Sequence, residues 1–284
     1  MEVSFYPGCS LDGTSREYGE STRAVARTLD VTLKELPDWS CCGTSSAHIT
    51  DDKLALGLAA RNLEIADRIG LDLITPCAAC YSRLKTGDRD LRAGISTDGF
   101  KDEYKGDYNI KHLAGFFRED VGEAAIAARV VKPLKDLNVV CYYGCLITRP
   151  PKVTGAADPD NPEFIDDIMR TLGTTVKPWS FKTDCCGASH ILTLPRVAYR
   201  MVAKLLDMAA EAGAEAIVCG CPMCQSNLDS WQPQISEQME KSYQVPIFFF
   251  TELIGLAFGH PDVNKWLSRH AVDPRPLLQR LELC

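Results

Sequence analysis

Thirteen cysteines punctuate this 284-residue chain, and ten of them fall into one pattern that occurs twice. Each copy is a lone Cys, then Cys-Cys-Gly, then Cys-x-x-Cys. The first copy is Cys9, Cys41, Cys42, Cys77 and Cys80; the second is Cys145, Cys185, Cys186, Cys221 and Cys224. In both, 34 residues separate the pair from the Cys-x-x-Cys, so those four thiols repeat at a constant offset of 144. The lone Cys is looser, with 31 and 39 intervening residues. Self-similarity at a fixed offset marks a duplicated unit, here one that carries a thiolate site.

Thiols so placed admit disulfides, structural zinc, unpaired packing or iron-sulfur chemistry. The N-terminus, MEVSFYPGCS, has no basic segment followed by an apolar run, and no stretch approaches the ~18 apolar residues of a membrane span. A reducing, cytoplasmic location is the expectation, which disfavours stable disulfides, and a bridge between adjacent cysteines strains the peptide joining them. Zinc prefers four ligands in a closed tetrahedron. Each repeat offers five thiols, and His48 and His190 follow their Cys-Cys-Gly at different distances, so they read as loop or cap residues. Iron-sulfur chemistry accommodates the pattern better, because several irons need several thiolates, yet an ordinary cubane takes four and leaves one over. Zinc stays open as the lesser alternative. Cys141, Cys219 and Cys284 do not repeat (Phe5 and Thr75 stand in place of the first two) and are expected to be non-ligands.

The elements that must position these thiols alternate. Residues 3–6 read as a strand, 18–29 as an amphipathic helix, 31–36 as a strand leading to Cys41, 53–69 as a helix stopped by Gly70, and 71–75 as a strand before Cys77. The second half repeats the order with strands at 137–143, 174–178 and 216–218 and helices at 162–172 and 195–212. Pro222, just after Cys221, suits a first helical turn. Late in each half a strand runs into a helix, at 110–117 and 247–258, with Phe248, Phe249 and Phe250 read as one apolar run in a buried strand that packs the core. The charged, glycine-bearing segment 86–106 reads as a partly exposed connection, and 149–161 as an inserted loop. This alternation predicts an α/β fold: two related Rossmann-like halves, 1–134 and 135–284, with mostly parallel sheets and cysteine loops at the carboxyl ends of strands. Gly8, Gly43, Gly144, Gly187 and Gly220 are expected to allow tight turns and close approach to a bulky inorganic core.

The fragments FYPGCS (5–10), WSCCG (39–43), CAAC (77–80), YYGCLI (142–147), TDCCGASH (183–190) and CPMC (221–224) together resemble the duplicated CCG domain of the B-type subunit of heterodisulfide reductase, over essentially the whole chain. The gap between pair and Cys-x-x-Cys departs from that family, being shorter in both copies. The resemblance implies two non-cubane [4Fe-4S] clusters, each held by the five cysteines of one repeat, which gives the fifth thiol a role. It also implies a ferredoxin-like iron-sulfur subunit (C-type) and a flavin-containing subunit (A-type) as partners. The substrate it implies is a small disulfide or thiol, cleaved between the two clusters.

Two functions are compatible with this pattern. One is the catalytic subunit of a disulfide or thiol oxidoreductase. The other is an electron-transfer subunit of a different oxidoreductase complex, of glycolate or lactate oxidase type or from sulfur oxidation. Five cysteines kept in both copies favour the first, since a relay needs only one cluster. The chain is 45% hydrophobic and 24% charged with a net charge of -7, which argues against nucleic acid and against insertion at an anionic membrane. It carries neither a ferredoxin-type cysteine run nor a Gly-x-Gly-x-x-Gly fingerprint, so electrons are expected to come from a partner.

Overall fold

The computed structural model describes residues 1–44, 46–95, 97 and 104–284. Among these, eight strands form two four-stranded sheets in which every recorded pairing is parallel. The first contains β1 (Glu2–Phe5), β2 (Thr32–Glu35), β3 (Leu73–Thr75) and β4 (Ile110–His112), in the order β2-β1-β3-β4. The second contains β5 (Asn138–Tyr142), β6 (Thr175–Val176), β7 (Ala216–Cys219) and β8 (Ile247–Phe249), in the matching order β6-β5-β7-β8. A duplicated sequence has folded twice to one topology. Central strands such as β7 are buried at every residue, as expected where helices cover both faces of a parallel sheet.

The helices start and stop where local chemistry asks. Asp51 accepts the Leu54 N–H at 3.0 Å to open the helix Asp52–Ile69, and Gly70, at φ 69°, closes it. Strands come out shorter than their apolar runs, 174–178 contracting to Thr175–Val176. Phe248 and Phe249 lie in β8 while Phe250 opens the helix Phe250–Ala257, and all three are fully buried.

Two expectations need correction. Residues 86–92, read as partly exposed connection, belong to the helix Ala78–Arg92. Gly87 is there because the helix Asp52–Ile69 approaches closely: a Cβ at that position would stand 2.8 Å from the Ala59 Cβ. Asp88 and Arg92 form an ion pair one turn apart, which explains the charge. Of the same segment, 96 and 98–103 lie outside the described residues. The presumed loop 149–161 contains a helical turn, Pro151–Thr154, whose Thr154 carbonyl accepts the Tyr81 hydroxyl of the first half at 3.2 Å.

The halves share one continuous apolar core. The helix Arg16–Thr28 of the first lies against Phe250–Ala257 of the second, with Ser21 Oγ 2.7 Å from Thr251 Oγ1. Tyr18 stacks on Phe249 with the ring planes nearly parallel and 4.1 Å between ring centres.

Candidate thiol site

Each patterned cysteine group follows a strand, so both halves deliver their thiols at the carboxyl end of their sheet. A tether repeats in the two halves. The Tyr6 hydroxyl donates to the Ser40 carbonyl at 2.7 Å and the Tyr142 hydroxyl to the Asp184 carbonyl at 2.6 Å. Each tyrosine stands three residues before the lone Cys, and each acceptor immediately precedes Cys-Cys-Gly. Entry loop and central loop are thus bound together twice over. A tyrosine at the same distance from both lone cysteines was the signal in the sequence.

Gly8 and Gly144 precede the lone cysteines with φ of 72° and 68°, in the left-handed region that glycine enters freely. A Cβ on Gly8 would stand 3.1 Å from Cys80 Sγ, and one on Gly144 2.9 Å from Cys224 Sγ. The glycines make the tight turns that were expected and let the second sulfur of the Cys-x-x-Cys approach.

The sulfurs meet in a string. Cys42 Sγ is 3.3 Å from Cys80 Sγ, and Cys186 Sγ is 3.8 Å from Cys224 Sγ, the equivalent pair. Neighbouring thiols extend these pairs: Cys41 lies beside Cys42, Cys77 beside Cys80, Cys221 beside Cys224, and Cys145 beside Cys185. The two repeats meet where Cys77 lies beside Cys221. The neighbouring Cys41 and Cys145 thiols draw Cys42 and Cys185 below the ordinary thiol range. Cys9, Cys41 and Cys185 are exposed and Cys145 half-buried, whereas the other six are buried, so the string runs inward from the surface. Of the three unpatterned cysteines, Cys141 lies buried in β5, Cys219 ends β7 with its sulfur toward the Cys221 carbonyl, and Cys284 is exposed.

This geometry corrects the expected cofactors. Among the described residues, no three Cys, His, Asp or Glu side chains are grouped so as to hold a metal ion. Terminal ligands to different irons must stand apart with the inorganic core between them. Here Cys42 touches Cys80 and Cys186 touches Cys224, and the 3.3 Å between the first two leaves no room for such a core. The expectation of two non-cubane [4Fe-4S] clusters does not fit.

Behind the string lie two polar groups that the sequence reading missed. Tyr18 donates to the carbonyls of Pro76 (3.3 Å) and Gly220 (3.0 Å), and His112 Nε2 lies 3.1 Å and 3.0 Å from the same two oxygens. His112 Nδ1 accepts the Ala114 N–H at 3.2 Å, which leaves the proton on Nε2 as donor. Burial pulls the imidazole down to about 4, so it is neutral at pH 7. A tyrosine and a histidine far apart in sequence and outside the cysteine pattern give no sequence signal.

The family model for the cysteine-rich domain called CCG matches residues 3–85 and 139–229. The 8-methylmenaquinol:fumarate reductase membrane anchor subunit of Wolinella succinogenes is 31% identical over 97% of this chain and 99% of its own length. Among the described residues, no helix is long and apolar enough to cross a membrane. The B-type subunit of the ferredoxin/F420H2-dependent CoB-CoM heterodisulfide reductase of Methanosarcina acetivorans is 26% identical over 99% of this chain and 97% of its own. The crystal structure of a hypothetical protein from Helicobacter pylori superposes with a TM-score of 0.76 over 96% of this chain. This chain spans 52% of that one at 13% identity, a likeness of fold alone.

Proposed function

Because the chain belongs to the cysteine-rich CCG-domain family, with the B-type subunit of heterodisulfide reductase among its relatives, we propose that its two repeats, 1–134 and 135–284, build a single redox site within an oxidoreductase complex. Its kinship makes it an oxidoreductase of the heterodisulfide reductase family. The observation that carries the shared site is the meeting of the two Cys-x-x-Cys loops, where the Tyr18 hydroxyl and His112 Nε2 each lie 3.0 to 3.3 Å from the carbonyls of both Pro76 and Gly220. The ten patterned cysteines are its working residues, with Cys9, Cys41 and Cys185 at the mouth, where a small disulfide or thiol reaches them.

Reducing a disulfide to two thiols takes two electrons and two protons. The chain has no dinucleotide fingerprint, so the electrons come from a partner, a ferredoxin-like or a flavin-containing subunit in the cytoplasm. Purification of the intact complex followed by anaerobic assay on a panel of small disulfides tests this reading. Turnover of a disulfide that falls by about tenfold or more in Cys77→Ser and in Cys221→Ser supports it. A complex that turns over none of the panel contradicts it.

The Wolinella relative favours a second reading, in which the same site relays electrons within a fumarate reductase-like complex. Quinol-linked fumarate reduction without disulfide turnover selects that reading.

A further inference from the structure

The two carbonyls that meet behind the thiol string are those of Pro76 and Gly220, each immediately before the first cysteine of a Cys-x-x-Cys. Each lies 3.0 to 3.3 Å from both the Tyr18 hydroxyl and His112 Nε2, whose single protons are each shared between the two oxygens. Both donors belong to the first half, and both reach Gly220 in the second. We propose that His112 and Tyr18 are positioning residues that clamp the two Cys-x-x-Cys loops together, so that Cys77 of one repeat faces Cys221 of the other.

The surroundings exclude a merely local role. In the sheet register His112 pairs with Thr75, and its equivalent Phe249 pairs with Cys219. At one position of the repeat, then, the first half carries a hydrogen-bond donor while the second carries a ring that stacks on Tyr18. A duplicated unit needing the histidine for its own fold would keep it in both copies. The asymmetry makes sense at the boundary between the halves, where one pair of donors serves two loops. Gly220 fits the same design, since a Cβ there would stand 3.0 Å from His112 Cε1. Tyr18 is fully buried and His112 is 4% exposed, so no solvent replaces a lost bond and each carbonyl left bare carries its full desolvation cost.

The inference deepens the shared-site reading and rests on it, but its test needs no turnover. Diamide takes up the two electrons and two protons that a thiol pair gives up on forming a disulfide. Brief anaerobic treatment of the full chain, then peptide mapping without reductant, gives the yield of the Cys77–Cys221 link between halves. The Cys42–Cys80 link, within one half, is the internal reference. In the double variant Tyr18→Phe, His112→Phe, the ratio of the two yields is expected to fall about tenfold. His112→Gln, which keeps an N–H donor, should recover most of the parent ratio. If the double variant does not fold, Tyr18→Phe decides alone, because it keeps the ring stacked on Phe249 and removes only the hydroxyl; a fall of about threefold is expected. An unchanged ratio in whichever of these variants folds overturns the clamp and leaves the shared site standing. A complex inactive on disulfides sinks the functional reading while the ratio still decides the clamp.

Discussion

Lys182 and Asp166 form a buried ion pair, with Nζ 2.9 Å from Oδ1 and side-chain exposures of 6% and 2%. The pair secures the second thiol loop. The Lys182 carbonyl accepts the N–H groups of Tyr143 and Gly144, while the Asp166 carboxylate takes the Tyr143 hydroxyl. Removing Lys182 leaves the buried Asp166 carboxylate with only the Tyr143 hydroxyl and the half-exposed Arg170 guanidinium 3.9 Å away. Lys182→Met is expected to cost about 3–5 kcal/mol in urea unfolding. The double replacement Lys182→Met, Asp166→Leu should recover much of that loss, because neither charge then remains unpaired. A single variant as stable as the parent would show that the pair is not what holds this loop.

Gly144→Ala combines two penalties: about 1 kcal/mol for a side chain in the left-handed region and about 1–3 kcal/mol for pushing Cys224 aside. Gly155→Ala, at a comparable φ of 75° but with nothing within 4 Å of the added carbon, separates them. Thermal melts should show Gly144→Ala losing clearly more than Gly155→Ala. Equal losses would mean that Cys224 is free to move.

The tyrosine tethers act in parallel, so Tyr6→Phe and Tyr142→Phe should each cost about 1 kcal/mol and leave the other half undisturbed. Alkylation by iodoacetamide reads this out. Protection of Cys42 should weaken only in Tyr6→Phe, and protection of Cys186 only in Tyr142→Phe. Loss of both protections in either variant would contradict independent tethers.

His270 carries a pH dependence. Burial works against its charged form, but Glu252, 2.9 Å away with both side chains fully enclosed, outweighs that with help from Asp229 and Glu17 and lifts the imidazole to about 9. A histidine raised in the folded state contributes stability that is fully present below its unfolded value of 6.5 and lost as pH rises through 9. The change is about 3 kcal/mol at most. Glu17, which burial lifts to about 7, separately lowers stability as pH rises from 4.5 to 7. Denaturant titrations should therefore show a decline from pH 6.5 to 9 that disappears in His270→Gln, while the decline below pH 7 persists. A flat parent profile above pH 7 would contradict the pairing.

The duplicated topology was legible because the constant offset between Cys41 and Cys185 forces equivalent loops, and the apolar runs before them alternate with helical periodicity. Tyr6 and Tyr142 were legible in the same way, through their shared distance from a lone Cys. Tyr18 and His112 were not, because their partners are backbone carbonyls reached only when two halves pack. The Gly87 helix was misread because its charges and glycine imitate a loop, until the contact with Ala59 shows why the glycine is there. The arrangement of the sulfurs was also hidden: spacing brings five thiols to one sheet edge but does not say whether they surround a common centre or touch in pairs.

The central claim is that both repeats serve one redox site, and a double-mutant cycle on turnover of the intact complex tests it most directly. Cys77→Ser, Cys221→Ser and the double variant are compared with an artificial electron donor and a disulfide that the parent reduces. Residues acting as one unit are non-additive, so the account predicts that each single change lowers turnover by about as much as both together. Additive losses, or a single variant that keeps about half the parental rate, would mean that the two halves work separately.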